Sequence, residues 1–366
     1  MKRLLYGLLA VVCAGPAQAH SFNRPPDVTY AVPDAVDHVI EMEITTGIPH
    51  HLIVTRRGDW VRETHPNFAG YSYKQIVANL KTGQSWTFND AITAERGTLS
   101  FQRLRVTKPH DWVQTDQTDT ILGESCISWK VEQDKYTETF CLTKDGLIVQ
   151  YKRFVGRSED VVARAVRIER RRVSLTKVKP PEKLFKLANW GNWTAMPDTS
   201  PNYEVTLDKA HTFRRKTKKW VETVRRLGNH QIENRVNEDG TVFRTYTSGR
   251  TRIELRQDAQ GIYEVNVERQ TDDILSREMS GEKSRTETIA GESCVWIIND
   301  HDHGYSYRCV TRDSAVLAVS SGYVSNNIYD KWDDKATSFR RGHLKPADVR
   351  PPADLLSPDF NRLPPF

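Results

Sequence analysis

The chain has 366 residues, 38% hydrophobic and 27% charged, with 53 Lys and Arg against 47 Asp and Glu for a formal charge of +6. That balance excludes a disordered or collagen-like chain, and so mild a basic excess does not itself point to nucleic acid. Beyond the N-terminal segment no stretch approaches the 18 or more apolar residues of a spanning helix, and the length suits two domains.

Met1-Lys2-Arg3, the apolar run Leu4 to Ala14 and Ala17-Gln18-Ala19 form the charged, apolar and small-residue regions of a signal peptide (1–19) cleaved after Ala19. Cys13 leaves with it. Four cysteines remain, an even number suited to an oxidising compartment, and the expected location is the periplasm. Residues 20–35 are rich in proline and read as an extended arm.

A first β module is expected over 36–187. His38 to Thr45 alternates Ile40, Met42 and Ile44 with Glu41 and Glu43, the period of a strand with one buried face. Leu52 to Arg56, Trp60 to Thr64, Tyr71 to Leu80, Ser85 to Asn89 and Thr98 to Arg105 continue the meander between Gly-containing turns. Gly123-Glu124-Ser125-Cys126 and Cys141 follow, then strands Leu147 to Phe154 and Val162 to Leu175, and Pro180-Pro181 closes the module. Residues 188–201, with Trp190 and Trp193, read as a linker.

The second module, 202–357, opens with a strand at Tyr203 to Leu207, and the pattern from His211 to Leu227 allows a helix. Strands are expected at Thr241 to Tyr246, Thr251 to Gln257, Ile262 to Arg269, Ala315 to Val319 and Thr337 to Arg341. Gly291-Glu292-Ser293-Cys294 and Cys309 repeat the earlier motif 168 residues downstream, and Pro351-Pro352 repeats the ending before a tail at 358–366. This is a duplication. Cys126 with Cys141 and Cys294 with Cys309 are each 15 residues apart, a spacing that lets them face each other across a hairpin with midpoints at Gln133-Asp134 and His301-Asp302. Structural disulfides are the leading reading, with metal ligation or a catalytic thiol as alternatives.

The fold expected is therefore mainly β: two tandem, strongly curved antiparallel sheets, half-barrel like, with few short helices. A curved sheet offers a concave face to a ligand. Trp60, Trp86, Phe88, Trp129, Phe243, Tyr263 and Trp296 are the large strand residues that could line it, against the plainer reading that most are core.

Gly58 to Arg62, Gly-Glu-Ser-Cys, Cys141 to Leu147 and the Pro-Pro-x-x-Leu ending resemble bacterial secreted domains of the Lol-type lipoprotein-carrier superfamily, nearest to its uncharacterised members. The resemblance implies a half-open barrel that holds acyl chains or lipoproteins. Where the first copy has Asp145-Gly146, the second has Asp313-Ser314.

No G-x-S-x-G elbow occurs, carboxylate pairs from distant strands stay open, and no catalytic residue, metal or cofactor is named. His301-Asp302-His303 and His50-His51 read as solvated turns rather than metal ligands, and the basic runs lack the regular stacking positions of a nucleic-acid binder. Arg164 to Arg172 and Arg214 to Lys219 are otherwise solvated faces, the first suited to peripheral contact with anionic membrane headgroups. The function expected is a periplasmic, non-enzymatic binder of an apolar or amphiphilic envelope ligand, lipid or lipoprotein-like. A scaffold for an envelope protein partner is the alternative, and a glycan-acting enzyme the minor one.

Overall fold

A computed structural model describes residues 35–45, 50–66, 74–89, 98–103, 112–132, 136–156, 158–193, 200–259, 261, 263–275, 281–301, 304–325 and 328–359. The signal peptide, nearly all of the arm, and Asp302-His303 lie outside them. The first repeat contributes β1 (His38–Ile44), β2 (His50–Arg57), β3 (Trp60–His65), β4 (Lys74–Asn79), β5 (Gln84–Asn89), β6 (Thr98–Arg103), β7 (Val113–Ile121), β8 (Glu124–Glu132), β9 (Thr137–Thr143), β10 (Ile148–Val155) and β11 (Ser158–Glu169). The second contributes β12 (Asn202–Phe213), β13 (Lys216–Leu227), β14 (His230–Val236), β15 (Val242–Ser248), β16 (Thr251–Gln257), β17 (Tyr263–Arg269), β18 (Glu282–Ile289), β19 (Glu292–His301), β20 (Gly304–Val310), β21 (Val316–Ser325) and β22 (Ile328–Arg341). Each strand of the first set has a counterpart near the 168-residue offset, so the duplication extends from the cysteine motif to the whole meander. Helix among the described residues is short: α1 (Leu175–Val178) and single turns at Glu182–Phe185, Leu187–Asn189 and Pro346–Asp348. The protein is mainly β and antiparallel.

The chain divides into two compact units. The first combines 41–51 with 107–167, and the second takes 36–40, 52–106 and 168–366. In the first unit β7 to β11 are successive antiparallel neighbours. Trp112 stacks on Phe140 at 5.0 Å, and the Tyr151 hydroxyl donates to Glu138 Oε1 at 2.6 Å, so the buried carboxylate is satisfied.

In the second unit β2 to β6 form one meander and β12 to β17 another. They meet edge to edge through β6 and β17, where Leu99 lies opposite Val267, its own counterpart at the 168-residue offset. Such self-pairing is the isologous geometry of a twofold dimer, here built within one chain. From β12 the ladder continues through β22, β21, β20 and β19 to β18.

One face of β14 to β17 is apolar, with Ile232, Tyr246, Ile253, Leu255, Tyr263, Val265 and Val267 buried. The endings of both repeats cover it: Leu184, Leu187, Trp190 and Trp193 from the first, and Leu344, Val349, Leu355 and Leu356 from the second, all join the same core. The segment read as a linker is thus core as far as Trp193. The double prolines suit this role, since their fixed φ presets the turns that present Leu184 and Leu355, whose N–H groups donate to Pro181 O and Pro352 O.

The helix allowed at His211 to Leu227 is not formed. β12 and β13 pair over their full length around Arg214 and Arg215, both in the left-handed region at φ 46° and 69°. Val205, Leu207 and Val224 alternate at period two on one face, and that burial outweighs a basic run whose residues are tolerated in either state. The last strand also begins earlier than the sequence suggests, at Ile328, because its first half pairs with β12 and β21.

Both cysteine pairs are disulfides, Cys126–Cys141 and Cys294–Cys309, each with a Cα separation of 5.3 Å. The cysteines are diagonal rather than directly opposite: Cys141 faces Ser128, and Cys309 faces Trp296. The register sits two residues from the midpoint reading. A shift of two preserves the face, so both thiols of each pair still meet. The following turn also repeats. Thr143 Oγ1 donates to Asp145 and accepts from Leu147 N–H, as Thr311 does with Asp313 and Ala315. Ser314 takes the left-handed place of Gly146, at φ 66° against 84°. Replacing Cys294 and Cys309 together by alanine is expected to cost about 3 kcal/mol through the loop entropy released, read as a lower urea midpoint, with a similar loss for the first pair. Peptide mapping without reductant should join the cysteines within each repeat; cross-repeat pairing would contradict the fold.

Candidate functional site

The face of β14 to β16 opposite that core continues onto β12, β13 and β22, where it is apolar at Val205, Leu207, Val224 and Ala336 and turns polar and aromatic from Lys209 on. Register places its members in rows. Lys209 on β12 lies directly opposite Trp220 on β13 and Asp334 on β22, and His211 lies opposite Lys218 and Trp332. A second row runs Glu222, Arg235, Phe243, Arg256, Glu264 across β13 to β17. These positions share a face because strands alternate at period two, and directly opposed side chains stand close enough to interact.

At its centre, Lys209 Nζ donates to Glu222 Oε1 at 2.6 Å and lies 3.6 Å from Asp334 Oδ2. The three side chains are 19%, 11% and 10% exposed, so this is a largely buried charge cluster. Burial acts to lower the Lys209 pKa, but the charges of Glu222 and Asp334 outweigh it and hold the ammonium above its ordinary value. Asp334 is pushed up by burial, against the pull of Lys209 and with the repulsion of Glu222. Glu233 is likewise raised, by burial first and then by Glu222.

Aromatic rings surround the cluster. The His211 ring stacks on Trp332 at 3.7 Å while its Nε2 meets Asp330 Oδ1 at 2.7 Å. Trp220 meets Trp332 edge to face at 5.8 Å. The Arg235 guanidinium lies over both Trp220, at 5.1 Å, and Phe243, at 4.1 Å. Buried atoms here without a hydrogen-bond partner among the described residues include Asp334 Oδ1, an acceptor, and Trp220 Nε1, a donor. Such atoms are costly when nothing fills them.

The aromatic residues singled out in the sequence do not form one site. Trp86, Phe88 and Tyr263 are buried in the core of the second unit with Trp60 packed against it. Trp129 packs edge to face on Trp112 in the first unit. Trp296 packs beside the second disulfide and donates to Glu287. Phe243 alone of the seven belongs to the polar face described above. Arg164, Arg167, Arg170, Arg171 and Arg172 are exposed, as are Arg214 to Lys219. Lys209, Trp220 and Glu222 come from the β12–β13 hairpin, in a stretch whose pattern also allows a helix, and Trp332 and Asp334 from the distant β22, so the sequence does not bring them together; the alternation of Lys209 and His211 after Leu207 is the available signal.

No family model matches the chain, and no curated protein matches it. Among solved structures, PNGF-II in two crystal forms aligns with TM-scores of 0.31 and 0.30 at 9% and 8% identity, over 83% of this chain and 96% and 95% of that one. The Helicobacter pylori beta clamp in complex with carprofen aligns with a TM-score of 0.10 at 8% identity, over 68% of this chain and 94% of that one. Scores this low carry no argument. The fold itself defines a duplicated antiparallel β protein, and its two disulfides suit an extracellular or periplasmic setting.

Proposed function

We propose that the protein is an exported, non-enzymatic binding protein of the periplasm, released by cleavage after Ala19, that holds the polar, hydroxyl-bearing part of an amphiphilic envelope ligand. The observation that carries this reading is the pair of unfilled buried atoms, Asp334 Oδ1 and Trp220 Nε1, beside the Trp332 ring. A ligand hydroxyl can donate to the first and another can accept from the second, while an indole face receives the C–H side of a sugar-like ring. The eleven antiparallel strands described in each repeat suit the half-open barrel that the resemblance to the lipoprotein-carrier superfamily implies. An acyl chain fits this chain less well, because the apolar face of β14 to β17 is already covered by Trp190, Leu184, Leu344 and Leu355.

Native mass spectrometry of the mature protein after incubation with solvent extracts of its own envelope tests the reading. A bound species of unchanged mass is expected, with affinity lowered about tenfold by either Asp334→Ala or Trp220→Phe, the effect of one hydrogen bond to a charged group or its donor. Uptake of nothing, together with a reproducible protein partner, would favour the scaffold instead. A chemically altered species would favour the enzyme.

A further inference from the structure

The second unit contains a cavity of about 500 Å³ lined by Ser200, Arg226, Arg312, Asp313, Ser314 and Arg341. Its walls follow from register. Tyr203 near the start of β12 lies opposite Arg226 on β13 and Arg341 on β22, so two guanidiniums flank one strand end. The turn that follows the second disulfide strand supplies Arg312, Asp313 and Ser314.

The charges do not balance. Arg341 holds Glu292 through Nε and Nη2, each at 3.1 Å, and Asp313 through Nη1, so both carboxylates are committed to it. Arg226 donates to neutral carbonyls, Gly228 O at 3.2 Å and Leu275 O at 3.4 Å. Arg312 is exposed and has no carboxylate partner among the described residues. Three guanidiniums against two carboxylates leave the cavity one net positive charge, with Arg226 and Arg312 outside any direct ion pair among the described residues, alongside the hydroxyls of Ser200 and Ser314.

Comparison of the repeats separates scaffold from addition. The hydrogen bonds of Thr311 to Asp313 and Ala315 are those of Thr143 to Asp145 and Leu147, so this turn is structural in both copies. In the matching hairpin, where Arg57 pairs with Trp60 as Leu227 does with His230, Arg226 corresponds to Arg56, which donates to Gly58 O as Arg226 does to Gly228 O, while Arg341 corresponds to Val173 at the 168-residue offset. Arg312 stands where the first repeat has Lys144, so both repeats carry basic residues here, and Arg341 is the arginine peculiar to the second.

We infer that this pocket is a phosphoryl-binding site, in which Arg226 and Arg312 fork onto the oxygens of a phosphate group while Arg341 holds the turn in place. Guanidinium pairs match phosphate geometry with charge-assisted hydrogen bonds, and serine hydroxyls complete the donor set. The group can be inorganic phosphate or the phosphodiester of a lipid headgroup.

Calorimetric titration of the full mature protein with inorganic phosphate, and flotation with phosphatidylglycerol vesicles against phosphatidylcholine vesicles, test the site at low and high salt. Binding of at least one phosphoryl probe is expected, weakened about tenfold or more by Arg312→Ala and by Arg226→Gln, and unchanged by Arg214→Ala at the exposed hairpin tip. Phosphate binding alone identifies a free anion as the ligand; vesicle binding that phosphate competes away identifies a headgroup. Arg312→Ala removes an exposed side chain and leaves the fold intact, so its failure to weaken binding overturns the proposal. So does an equal loss in Arg214→Ala, which marks general basicity, or binding of neither probe.

Discussion

Trp190→Ala is expected to destabilise the second unit by about 3–5 kcal/mol, the range for truncating a large aromatic in a packed core. Trp190 is fully buried, its Nε1 donates to Leu184 O at 2.9 Å, and its own carbonyl accepts from Thr251 Oγ1. The substitution opens a cavity between the ending of the first repeat and β16, and leaves the Leu184 carbonyl without its donor. Urea unfolding followed by a probe in this unit should show a markedly lower midpoint. Trp190→Phe, which keeps most of the volume and loses only the hydrogen bond, should fall between. Val221→Ala, at a position 51% exposed, should change stability by no more than about 0.5 kcal/mol. A Trp190→Ala loss as small as that of Val221→Ala would mean that the repeat endings are not the cover of the apolar face.

Much of this architecture is written in local pattern. Ile40, Met42 and Ile44 alternate in sequence and are buried together in β1, because a half-buried strand imposes a period of two. The cysteine offset of 168 residues likewise predicts the matched disulfides and the matched turns. Features that depend on pairing over long separations were not legible. Nothing local to Leu99 announces that it lies opposite Val267. The run from His211 to Leu227 supports helix or strand equally until Val205 and Leu207 are seen to share a face with Val224.

The candidate site is hidden for the same reason. Trp220, Lys209 and Asp334 form one row only because β13 and β22 flank β12, and Asp334 follows Lys209 by well over a hundred residues. Large aromatics on strands are a weak signal for a ligand face, since Trp86 and Phe88 satisfy the same pattern and are core. What distinguishes Trp220 is an indole nitrogen left without an acceptor among the described residues, and that is visible only in three dimensions.

Lys209→Met carries the second large effect, about 3 kcal/mol at neutral pH, near the lower end for breaking a buried ion pair because the side chain remains 19% exposed. The loss arises from what is left behind: Glu222 and Asp334 keep their charges in a site where Lys209 no longer offsets them. Its pH dependence follows from the directions of the shifts. The raised pKa of Lys209 means that its contribution is fully present below the ordinary lysine value and disappears as pH rises through the higher folded value. Asp334 and Glu233 are raised carboxyls, so the folded state holds their protons more tightly, and lowering the pH from neutral towards the ordinary carboxylate range adds stability. Glu204 behaves oppositely. Burial acts to raise it, but hydrogen bonds from Arg225 and Arg340 prevail and lower it, so its contribution is present above the ordinary value and lost as pH falls through the depressed one. Urea midpoints of the native protein should therefore pass through a maximum at mildly acidic pH. In Lys209→Met the rise on the acid side should be steeper, because protonation of Asp334 removes a charge the substitution orphaned. Adding Glu222→Gln and Asp334→Asn to Lys209→Met should recover most of the loss at neutral pH, since a neutral trio no longer buries an unpaired charge. A Lys209→Met protein as stable as the native one at every pH would show that the cluster is solvated and contributes nothing to the fold.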